Sequence, residues 1–382
     1  MRILQVTDVF DLFGVTNACY SVQKELTKRD HEATLIASDF RLSDDTTATL
    51  KGAGTRFIPF RCKTAVSSFC FSPSMKYWLD EHLKDFDVVH MHNFRCYQNI
   101  VTHKYAQKYG VPYVLQAHGS VLPFFGRRTQ KRLFDLLWGR SILSDAAKLI
   151  ALTPAEQAQY EKMGIKRERT AIVPNGIDAT EYANLPGKSR FRTRYGIDGD
   201  EKLILSLGKL HRIKGVDLLI KAFAKLLEKM DGVKLVIAGP DVGVLGQLRT
   251  LVSELKVSDS VLFVGTLRGH DKLEAYVDAD VYVLPSVYEA FGLTVLEACA
   301  CGTPVIVTAA CGIADLVREF GCVVERHPDE FCNAIYRVLS LDASAKDFGA
   351  VGRSFVLKEL TWEQVVQRIE EVYADVISRV PA

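Results

Sequence analysis

The feature that most constrains the fold is a regular alternation of short apolar runs with longer amphipathic stretches, which occurs twice along the chain. The short runs are rich in aliphatic and β-branched residues, as buried parallel strands are, and the longer stretches have helical length. The first half has predicted strands near 2–8, 32–38, 55–60, 87–92, 112–118 and 148–153. The second half has them near 203–208, 234–239, 261–265, 281–285, 304–309 and 322–325. The expected fold class is therefore α/β, with two Rossmann-like, doubly wound parallel sheets.

The length of 382 residues exceeds what one hydrophobic core usually supports, so two domains are expected. A stretch rich in Pro, Gly and charge, beginning near residue 173, separates the two sets of strands. We expect an N-terminal domain over 1–178 and a C-terminal domain over 179–360. Apolar residues at spacings of three and four predict an amphipathic helix over 361–382. Two such sheets facing each other would border a central cleft at the carboxyl ends of their strands.

Charge and cysteine content limit the partners and the compartment expected for this protein. The net charge of +2 argues against a nucleic-acid binder. Residues 1–180 carry 24 Lys and Arg against 18 Asp and Glu, and the remainder carries 24 against 28, so the first half is the expected side for an anionic partner. Nine cysteines without a CxxC pair indicate core thiols in a reducing compartment. With no leader-like N-terminus and no long apolar run, we expect a cytoplasmic protein.

A strand, a turn and a helix follow one another between Pro285 and Val305. The helix is predicted to begin near Phe291 and to end at Gly302, where a glycine suits the left-handed conformation that often follows a helix. The start of a helix presents unpaired N–H groups and a partial positive charge, which suit a diphosphate or sugar hydroxyls.

Two glutamates flank this helix start, eight positions apart. Glu289 precedes the helix and could accept hydrogen bonds from a sugar, while Glu297 lies within it and could accept from a vicinal diol such as ribose. The alternative is that Glu289 is a helix cap and Glu297 a solvated helix residue.

The segment resembles the E-x7-E signature of family 4 retaining glycosyltransferases, including the EAFGL and CGTPVI portions. Residues 205–217, LSLGKLHRIKGVD, are similar to the GR-L-x-x-x-KG element of that family. The resemblance covers nearly the whole chain and is strongest over 203–312. It implies a GT-B fold, a glycosyltransferase activity, a nucleotide diphosphate sugar as donor, and a final helix that packs back onto the first domain.

The resemblance also implies roles for individual residues. Lys209 and Lys214 match the two basic residues that hold the donor diphosphate, although solvated lysines on a turn are the alternative. Lys209 replaces the usual Arg, so Arg212 is expected to share its role. The catalytic set comprises His118, Lys209, Lys214 and Glu289. The donor-binding set comprises Gly14, Arg212, Gly265, Ala290, Phe291, Gly292, Leu293 and Glu297. UDP, GDP and ADP sugars all remain open as donors.

The implied reaction is front-face attack by an acceptor hydroxyl, on a glycan, a lipid-linked molecule or a small molecule, with retention and without a metal. Cationic side chains would stabilise the leaving diphosphate. Asp278 and Asp280 form a DxD by letter only, because they lie at a predicted helix-to-strand turn. The alternatives are a sugar phosphorylase or nucleotide-sugar epimerase on the same fold, or a non-catalytic nucleotide-sugar-binding protein.

Three features of the first half complete the predicted site. Gly14 follows the first strand, where the resembling family has a glycine-rich loop near the donor phosphates, although an ordinary turn would also place a glycine there. His118 ends a strand at the expected ligand edge, and family members have a histidine there that touches the donor sugar. His90 and His92 are expected on opposite sides of their strand, with at most one of them beside the acceptor, next to Asn93.

The segment 124–138 combines four cations with large apolar residues at roughly helical spacing. Such a segment is typical of helices that lie on anionic membranes, and peripheral contact with the inner face of a membrane is one interpretation. The other is an ordinary helix that packs its apolar face on the first domain while its arginines stay in water.

Overall fold

A computed structural model describes residues 1–8, 15–52, 54–66, 69–123, 126–340 and 347–379. The chain forms two compact units: Met1–Gly176 together with Trp362–Ala382, and Ile177–Thr361. The division falls inside the Pro-Asn-Gly-Ile-Asp stretch that begins at Pro174.

The first unit is built on a parallel sheet of seven strands in the order β3-β2-β1-β6-β7-β8-β9. A separate antiparallel hairpin pairs β4 with β5. The strands of this unit are β1 (Arg2–Val6), β2 (Glu32–Ser38), β3 (Arg56–Phe60), β4 (Thr64–Val66), β5 (Phe69–Phe71), β6 (Val88–His92), β7 (Tyr113–Gln116), β8 (Lys148–Ala151) and β9 (Thr170–Ile172). Its helices before the second unit are α1 (Val15–Lys28), α2 (Asp44–Gly52), α3 (Ser74–His82), α4 (Tyr97–Tyr109), α5 (Arg128–Phe134), α6 (Arg140–Asp145) and α7 (Pro154–Lys162).

The second unit is built on a parallel sheet of six strands in the order β12-β11-β10-β13-β14-β15. These strands are β10 (Lys202–Leu207), β11 (Val233–Ala238), β12 (Val261–Gly265), β13 (Val281–Leu284), β14 (Val305–Thr308) and β15 (Cys322–Val324). The helices are α8 (Arg190–Tyr195), α9 (Val216–Leu227), α10 (Leu245–Glu254), α11 (Gly269–Asp278), α12 (Leu293–Ala300), α13 (Ala314–Val317), α14 (Pro328–Leu339) and α15 (Phe348–Glu359).

The last helix, α16 (Trp362–Ser378), belongs to the first unit. Its apolar residues at spacings of three and four are buried against side chains of α1, β1, β6, β7 and β8. Tyr373 at its centre is fully buried and bonds His90 on β6 at 2.7 Å. Because these apolar residues are buried along one face, the helix is fixed in position although its other face is polar.

In both sheets the chain reverses its direction of winding beside a central strand, β1 in the first unit and β10 in the second. Open parallel sheets bind ligands at such points, beyond the carboxyl ends of their strands. Ligand sites are therefore expected in the loops after β1 and β6 and in those after β10 and β13.

The predicted strands are present, with ends shifted by one or two residues, and the α/β fold class with two Rossmann-like sheets is confirmed. Three strands were not predicted, namely β4, β5 and β9. Each has only three residues, which is too short for a periodic pattern. The helix predicted from Phe291 begins at Leu293, because Gly292 at φ 102° stands outside it.

Candidate functional site

The loop after β10 packs closely against the loop that follows β13. Arg212–Lys214 form a 3-10 turn, and Gly215 follows it at φ 65°. A Cβ atom on Gly215 would lie 2.1 Å from the carbonyl oxygen of Pro285, so only glycine permits this approach. The N–H of Val287 donates to the carbonyl of Ile213 at 2.8 Å and ties the two loops together.

Within this contact, the ammonium of Lys214 is paired with the carboxylate of Glu289. Both side chains are largely buried, with 24% and 18% of their surface exposed. Glu289 does not cap α12, whose N-cap is Gly292 without a side-chain hydrogen bond. The interpretation of Glu289 as a helix cap is therefore wrong.

The segment from Glu289 to Gly292 is fixed from the other side by the loop after β14. The N–H of Gly312 donates to the carbonyl of Glu289 at 2.8 Å, and Cys311 forms a parallel bridge with Glu289. A Cβ on Gly312 would lie 2.1 Å from the carbonyl oxygen of Ala290. Gly312 was not predicted from the sequence, although a glycine in the loop that follows the strand predicted near 304–309 was a signal that could have pointed to it.

The first backbone amides of α12 lie next to the segment from Glu289 to Gly292. Leu293 is the first residue of the helix, and Phe291 just before it is 2% exposed. A helix start without a side-chain cap leaves amide donors for a ligand or for water. Ala290 and Leu293 are partly exposed beside it.

Glu297, one turn into α12, is held by two side chains of α11. One carboxylate oxygen accepts from Lys272 at 2.7 Å and the other from Tyr276 at 2.9 Å. The interpretation of Glu297 as a merely solvated residue is therefore wrong. Lys272 and Tyr276 were not predicted from the sequence, since they lie 25 and 21 positions away and only packing brings them to Glu297.

The remaining predicted residues of the second unit lie at the carboxyl ends of neighbouring strands. Lys209 and Arg212 are exposed on the loop after β10. Gly265 ends β12 at φ 75°, exposed, and its carbonyl accepts from the N–H of Gly239 at 2.7 Å. A Cβ on Gly239 would lie 1.8 Å from the carbonyl oxygen of Gly208, so these strand ends meet backbone to backbone.

The two aspartates of the DxD-like triplet have structural partners. The carboxylate of Asp278 accepts from the backbone N–H groups of Ser189 at 2.5 Å and Phe191 at 2.8 Å, at the start of α8. Asp280 pairs with Arg192 at 2.8 Å. Both carboxylates therefore anchor α8 to the turn between α11 and β13, as the helix-to-strand interpretation implied.

In the first unit, His90 and His92 lie on the same face of β6, with their rings stacked at 4.0 Å. The expectation that they face opposite sides is wrong, because residues two apart on a strand share a face. His92 bonds His118, at the end of β7, at 3.1 Å. Burial lowers the pKa of His90 and of His118 to about 3, and it also lowers the pKa of His92.

His118 adopts a left-handed backbone conformation at φ 50°. The next residue, Gly119, donates its N–H to the buried carboxylate of Glu156 at 2.5 Å, and Glu156 also accepts from the N–H of Leu152 at 2.7 Å. Burial raises the pKa of Glu156 to about 7. Glu156 thus fixes the loop that carries His118.

Between β1 and β6, where the first sheet reverses its direction of winding, the side-chain amide of Asn93 donates to the carboxylate of Asp8 at 2.6 Å. This pair joins the ends of β1 and β6. Gly14, the predicted glycine of the loop after β1, lies outside the described residues.

Within the predicted segment 124–138, the residues from Arg128 onward belong to a helix that runs from α5 through a π-helical turn, Asp135–Gly139, into α6. Residues 124 and 125 lie outside the described part of the chain. Phe134 is buried, whereas four large apolar side chains of this segment are not: Leu133, Leu136, Leu137 and Trp138, exposed by 55%, 68%, 54% and 42%. The apolar face is therefore only partly packed on the unit, unlike that of an ordinary surface helix.

A groove of about 750 Å³ runs beside this helix. Its walls combine apolar residues of the β4–β5 hairpin and of the helix, such as Phe69 and Leu137, with Arg127 and Lys131. Arg95 fixes the helix by pairing with Asp135 at 2.7 Å. The groove thus offers an apolar wall and cations together.

No three His, Cys, Asp or Glu side chains come together as a metal-ligand group in the part of the chain that the structure describes. In the same residues, no helix has the length and apolar character needed to cross a bilayer.

Comparison with known proteins agrees with this architecture. The model of the family described as glycosyl transferases group 1 matches residues 187–355, and that of glycosyltransferase family 4 matches residues 14–181. A D-inositol 3-phosphate glycosyltransferase of Acidothermus cellulolyticus is 31% identical over 319 residues, which cover 77% of this chain and 68% of that protein. An uncharacterised glycosyltransferase of Methanocaldococcus jannaschii is 29% identical over 297 residues, 75% of each chain.

Among solved structures, Anabaena HepE in complex with UDP and glucose superposes with a TM-score of 0.81 at 19% identity, over 98% of this chain and 100% of that chain. The chain belongs to glycosyltransferase family 4, the group 1 glycosyltransferases, and has the GT-B fold. It is a glycosyltransferase.

Proposed function

We propose that the protein transfers a sugar from a nucleoside diphosphate sugar to an acceptor hydroxyl, with retention of configuration and without a metal. The donor would bind to the second unit. The observation that carries this proposal is the pairing of Lys214 with Glu289 beside the uncapped start of α12, with Lys209 and Arg212 exposed on the same loop. HepE, which has the same fold, binds UDP and glucose.

The chemistry of the leaving group explains why cations gather here. Transfer releases a nucleoside diphosphate, on which negative charge develops as the sugar bond breaks. Lysine and arginine side chains and helix-start amides stabilise such charge where a divalent ion does so in other enzymes. Lys209, Arg212, Lys214 and the first amides of α12 would supply this stabilisation.

Lys214 and Glu289 would exchange each other for groups of the donor when the donor binds. A bound diphosphate would compete for the ammonium of Lys214, and Glu289 would then accept hydrogen bonds from hydroxyls of the donor sugar. Ala290, Phe291, Gly292 and Leu293 would present backbone groups to the same ligand. Binding would thus give Lys214 a new charged partner and Glu289 neutral hydroxyl donors, so that neither side chain is left unpaired.

Glu297 would accept from the ribose hydroxyls, held in position by Lys272 and Tyr276. Gly265, without a side chain at the end of β12, would let the nucleoside approach the backbone. His118 would contact the donor sugar. In front-face transfer, the acceptor hydroxyl attacks from the side of the leaving group, and a diphosphate oxygen takes its proton.

Thermal unfolding with UDP, GDP and ADP sugars tests the donor class, because a ligand that binds only the folded state raises the melting temperature. Stabilisation by one nucleotide series, with turnover in EDTA and a product of unchanged anomeric configuration, is the expected result. Stabilisation by inorganic phosphate alone would instead favour a sugar phosphorylase. Interconversion of nucleotide sugars without an acceptor would favour an epimerase, and binding without turnover a non-catalytic protein.

We further propose that the helix through Leu133–Trp138 contacts an anionic membrane and that the acceptor is lipid-linked. Four exposed apolar side chains and the exposed cations Arg128, Arg132 and Arg140 lie along one helix. A helix of this kind inserts its apolar side chains among lipids while its cations meet anionic headgroups. The groove beside it would take the head of the acceptor.

Co-sedimentation with anionic and neutral vesicles tests this contact. Binding to anionic vesicles should be lost when Leu136 and Leu137 are both changed to Ser. A matched control is Val242→Ser, since Val242 is 51% exposed in the second unit. Equal sedimentation of wild type with and without vesicles would contradict the proposal and leave the donor assignment untouched.

A further inference from the structure

A continuous chain of hydrogen bonds runs through the interior of the first unit and ends at His118. Gln23 on α1 donates its amide N–H to the carbonyl of Ala33 at 2.7 Å. Gln5 on β1 donates to the side-chain oxygen of Gln23 at 2.6 Å. The oxygen of Gln5 lies 2.8 Å from Nε2 of His92, and Nδ1 of His92 lies 3.1 Å from Nε2 of His118.

The direction of each bond follows from the first one. A backbone carbonyl only accepts, so the amide nitrogen of Gln23 faces Ala33 and its oxygen faces Gln5. That oxygen accepts from the amide nitrogen of Gln5, which turns the oxygen of Gln5 toward His92. The thiol of Cys19 also lies against the Gln5 oxygen, at 3.6 Å, and burial raises its pKa so that it stays a donor.

His92 must therefore carry its proton on Nε2, because the Gln5 oxygen can only accept. The ring is fully buried, and burial disfavours a second proton. Nδ1 of His92 is then a bare acceptor. It can bond Nε2 of His118 only if that atom donates a hydrogen.

We propose that Gln23, Gln5 and His92 hold His118 as the Nε2–H tautomer, with a bare Nδ1 that accepts a hydrogen bond from a sugar hydroxyl. Nδ1 of His118 is buried and has no hydrogen-bond partner among the described residues. A buried acceptor without a partner is costly, and a hydroxyl of the substrate supplies the missing donor. That the hydroxyl belongs to a sugar rests on the proposed function.

This arrangement has a chemical consequence for the reaction. A neutral His118 with a bare Nδ1 is neither a general acid toward the sugar nor a cation toward the diphosphate. It selects a ligand that presents a hydroxyl hydrogen and disfavours one that presents an oxyanion or a bare ether oxygen there. Gln5, Gln23 and His92 are thus positioning residues, which act on the substrate only through His118.

Nitrogen-15 NMR of histidine-labelled, full-length protein tests the proposal, because protonated and bare ring nitrogens have distinct shifts and proton couplings. The His118 signals are assigned by their loss in His118→Asn. In the ligand-free wild type, His118 should show a protonated Nε2 and a bare Nδ1. A protonated Nδ1, or a mixture of the two tautomers, would overturn the proposal.

A pair of matched variants separates this chain of bonds from general packing. Gln5→Leu removes the oxygen that fixes His92, so the preference of His118 for Nε2–H should fall about tenfold, the equivalent of one buried hydrogen bond. Gln98→Leu is the control, since Gln98 is also a fully buried glutamine of this unit but bonds Cys70 instead. If Gln5→Leu does not fold, Gln23→Leu breaks the chain one step earlier. An unchanged His118 tautomer in the folded variant would contradict the proposal.

Addition of UDP-glucose to the wild type tests the contact with the sugar. A shift of the Nδ1 resonance in the direction of a hydrogen-bonded acceptor is expected. If calorimetry shows that UDP-glucose binds and Nδ1 does not respond, the contact is refuted. If UDP-glucose does not bind, the nucleotide sugar that stabilises the protein most in the thermal screen takes its place. Failure of all three nucleotide series would contradict the donor assignment, and the tautomer measurement in the free protein still decides the rest.

Discussion

Lys214 and Glu289 form an ion pair that joins the carboxyl ends of β10 and β13, the two strands between which the second sheet reverses its winding. The pair is largely shielded from water. Its two members come from loops that also contact each other through backbone atoms, at Gly215 and Pro285. The position of a cation and a carboxylate at this point is therefore built into the fold before any ligand binds.

Replacement of Lys214 by Ala should lower kcat by about a hundredfold to a thousandfold, as is typical when one group that stabilises transition-state charge is lost. Steady-state kinetics with the donor that stabilises the protein would measure this. Lys221→Ala, an exposed lysine on α9, is the control and should keep full activity. Equal rates for the two variants would show that Lys214 does not stabilise the leaving group.

Replacement of Glu297 by Gln should weaken binding of the donor about tenfold, since a charged acceptor for ribose hydroxyls becomes a neutral one. Lys272→Met should have a smaller effect in the same direction, because Tyr276 still holds the carboxylate. Calorimetric titration with the nucleoside diphosphate measures both. Unchanged affinity in Glu297→Gln would remove the ribose role from this residue.

The local part of this site could be predicted from the sequence, whereas the contacts across the fold could not. Glu289 and Glu297 lie on one strand-turn-helix segment, whose spacing is visible in the chain. Lys272 and Gly312 reach them only through packing, and nothing in a linear pattern records such contacts. The roles of the glutamates themselves stay predictions until a ligand is tested.

The fold was predictable for a similar reason. Long buried runs such as β2 and β10 leave a clear pattern of aliphatic residues, and these elements fix the sheet order. The unpredicted strands β4, β5 and β9 carry too few positions to show a period. The error at His90 and His92 was one of geometry, since a period of two places such residues on one face.

Substitution of Gly215 by Ala should destabilise the protein by more than about 3 kcal/mol, because the new Cβ would overlap the Pro285 carbonyl and the backbone would have to move. Gly232→Ala separates this overlap from backbone strain. Gly232 has φ 66°, almost the same as Gly215, but nothing lies within 4 Å of its Cβ position, so a loss of only about 1 kcal/mol is expected. Equal losses for the two variants in urea unfolding would show that the close approach of Gly215 to Pro285 does not limit stability.

The buried histidines predict how stability depends on pH. The pKa of His90 and of His118 is about 3 in the folded protein, below the ordinary 6.5, so the unfolded chain binds more protons between these values. The stability they contribute is present above pH 6.5 and is lost as the pH falls toward 3. Each contributes up to about 1.4 kcal/mol per pH unit.

Urea unfolding at several pH values below neutrality measures this slope. His90→Phe should reduce it, whereas His270→Phe, at an exposed histidine of α11, should not. An unchanged slope in His90→Phe would show that this ring is not held neutral.

Glu156 should change the pH dependence of stability in the opposite direction to the buried histidines. Its folded pKa of about 7 lies above the ordinary 4.5, so its contribution is fully present below pH 4.5 and is lost as the pH rises through 7. Glu156→Gln removes this opposing effect, and the variant should therefore lose stability more steeply than wild type on acidification from pH 7. Parallel curves for the two proteins would contradict the raised pKa of Glu156.

The most direct test of the donor site is a crystal structure of the protein with UDP or the nucleoside diphosphate that stabilises it best. We expect diphosphate oxygens within hydrogen-bonding distance of Lys209 or Arg212, of Lys214 and of the first amides of α12, with Glu289 released from Lys214. A diphosphate bound away from residues 209–214 and 289–293 would contradict it.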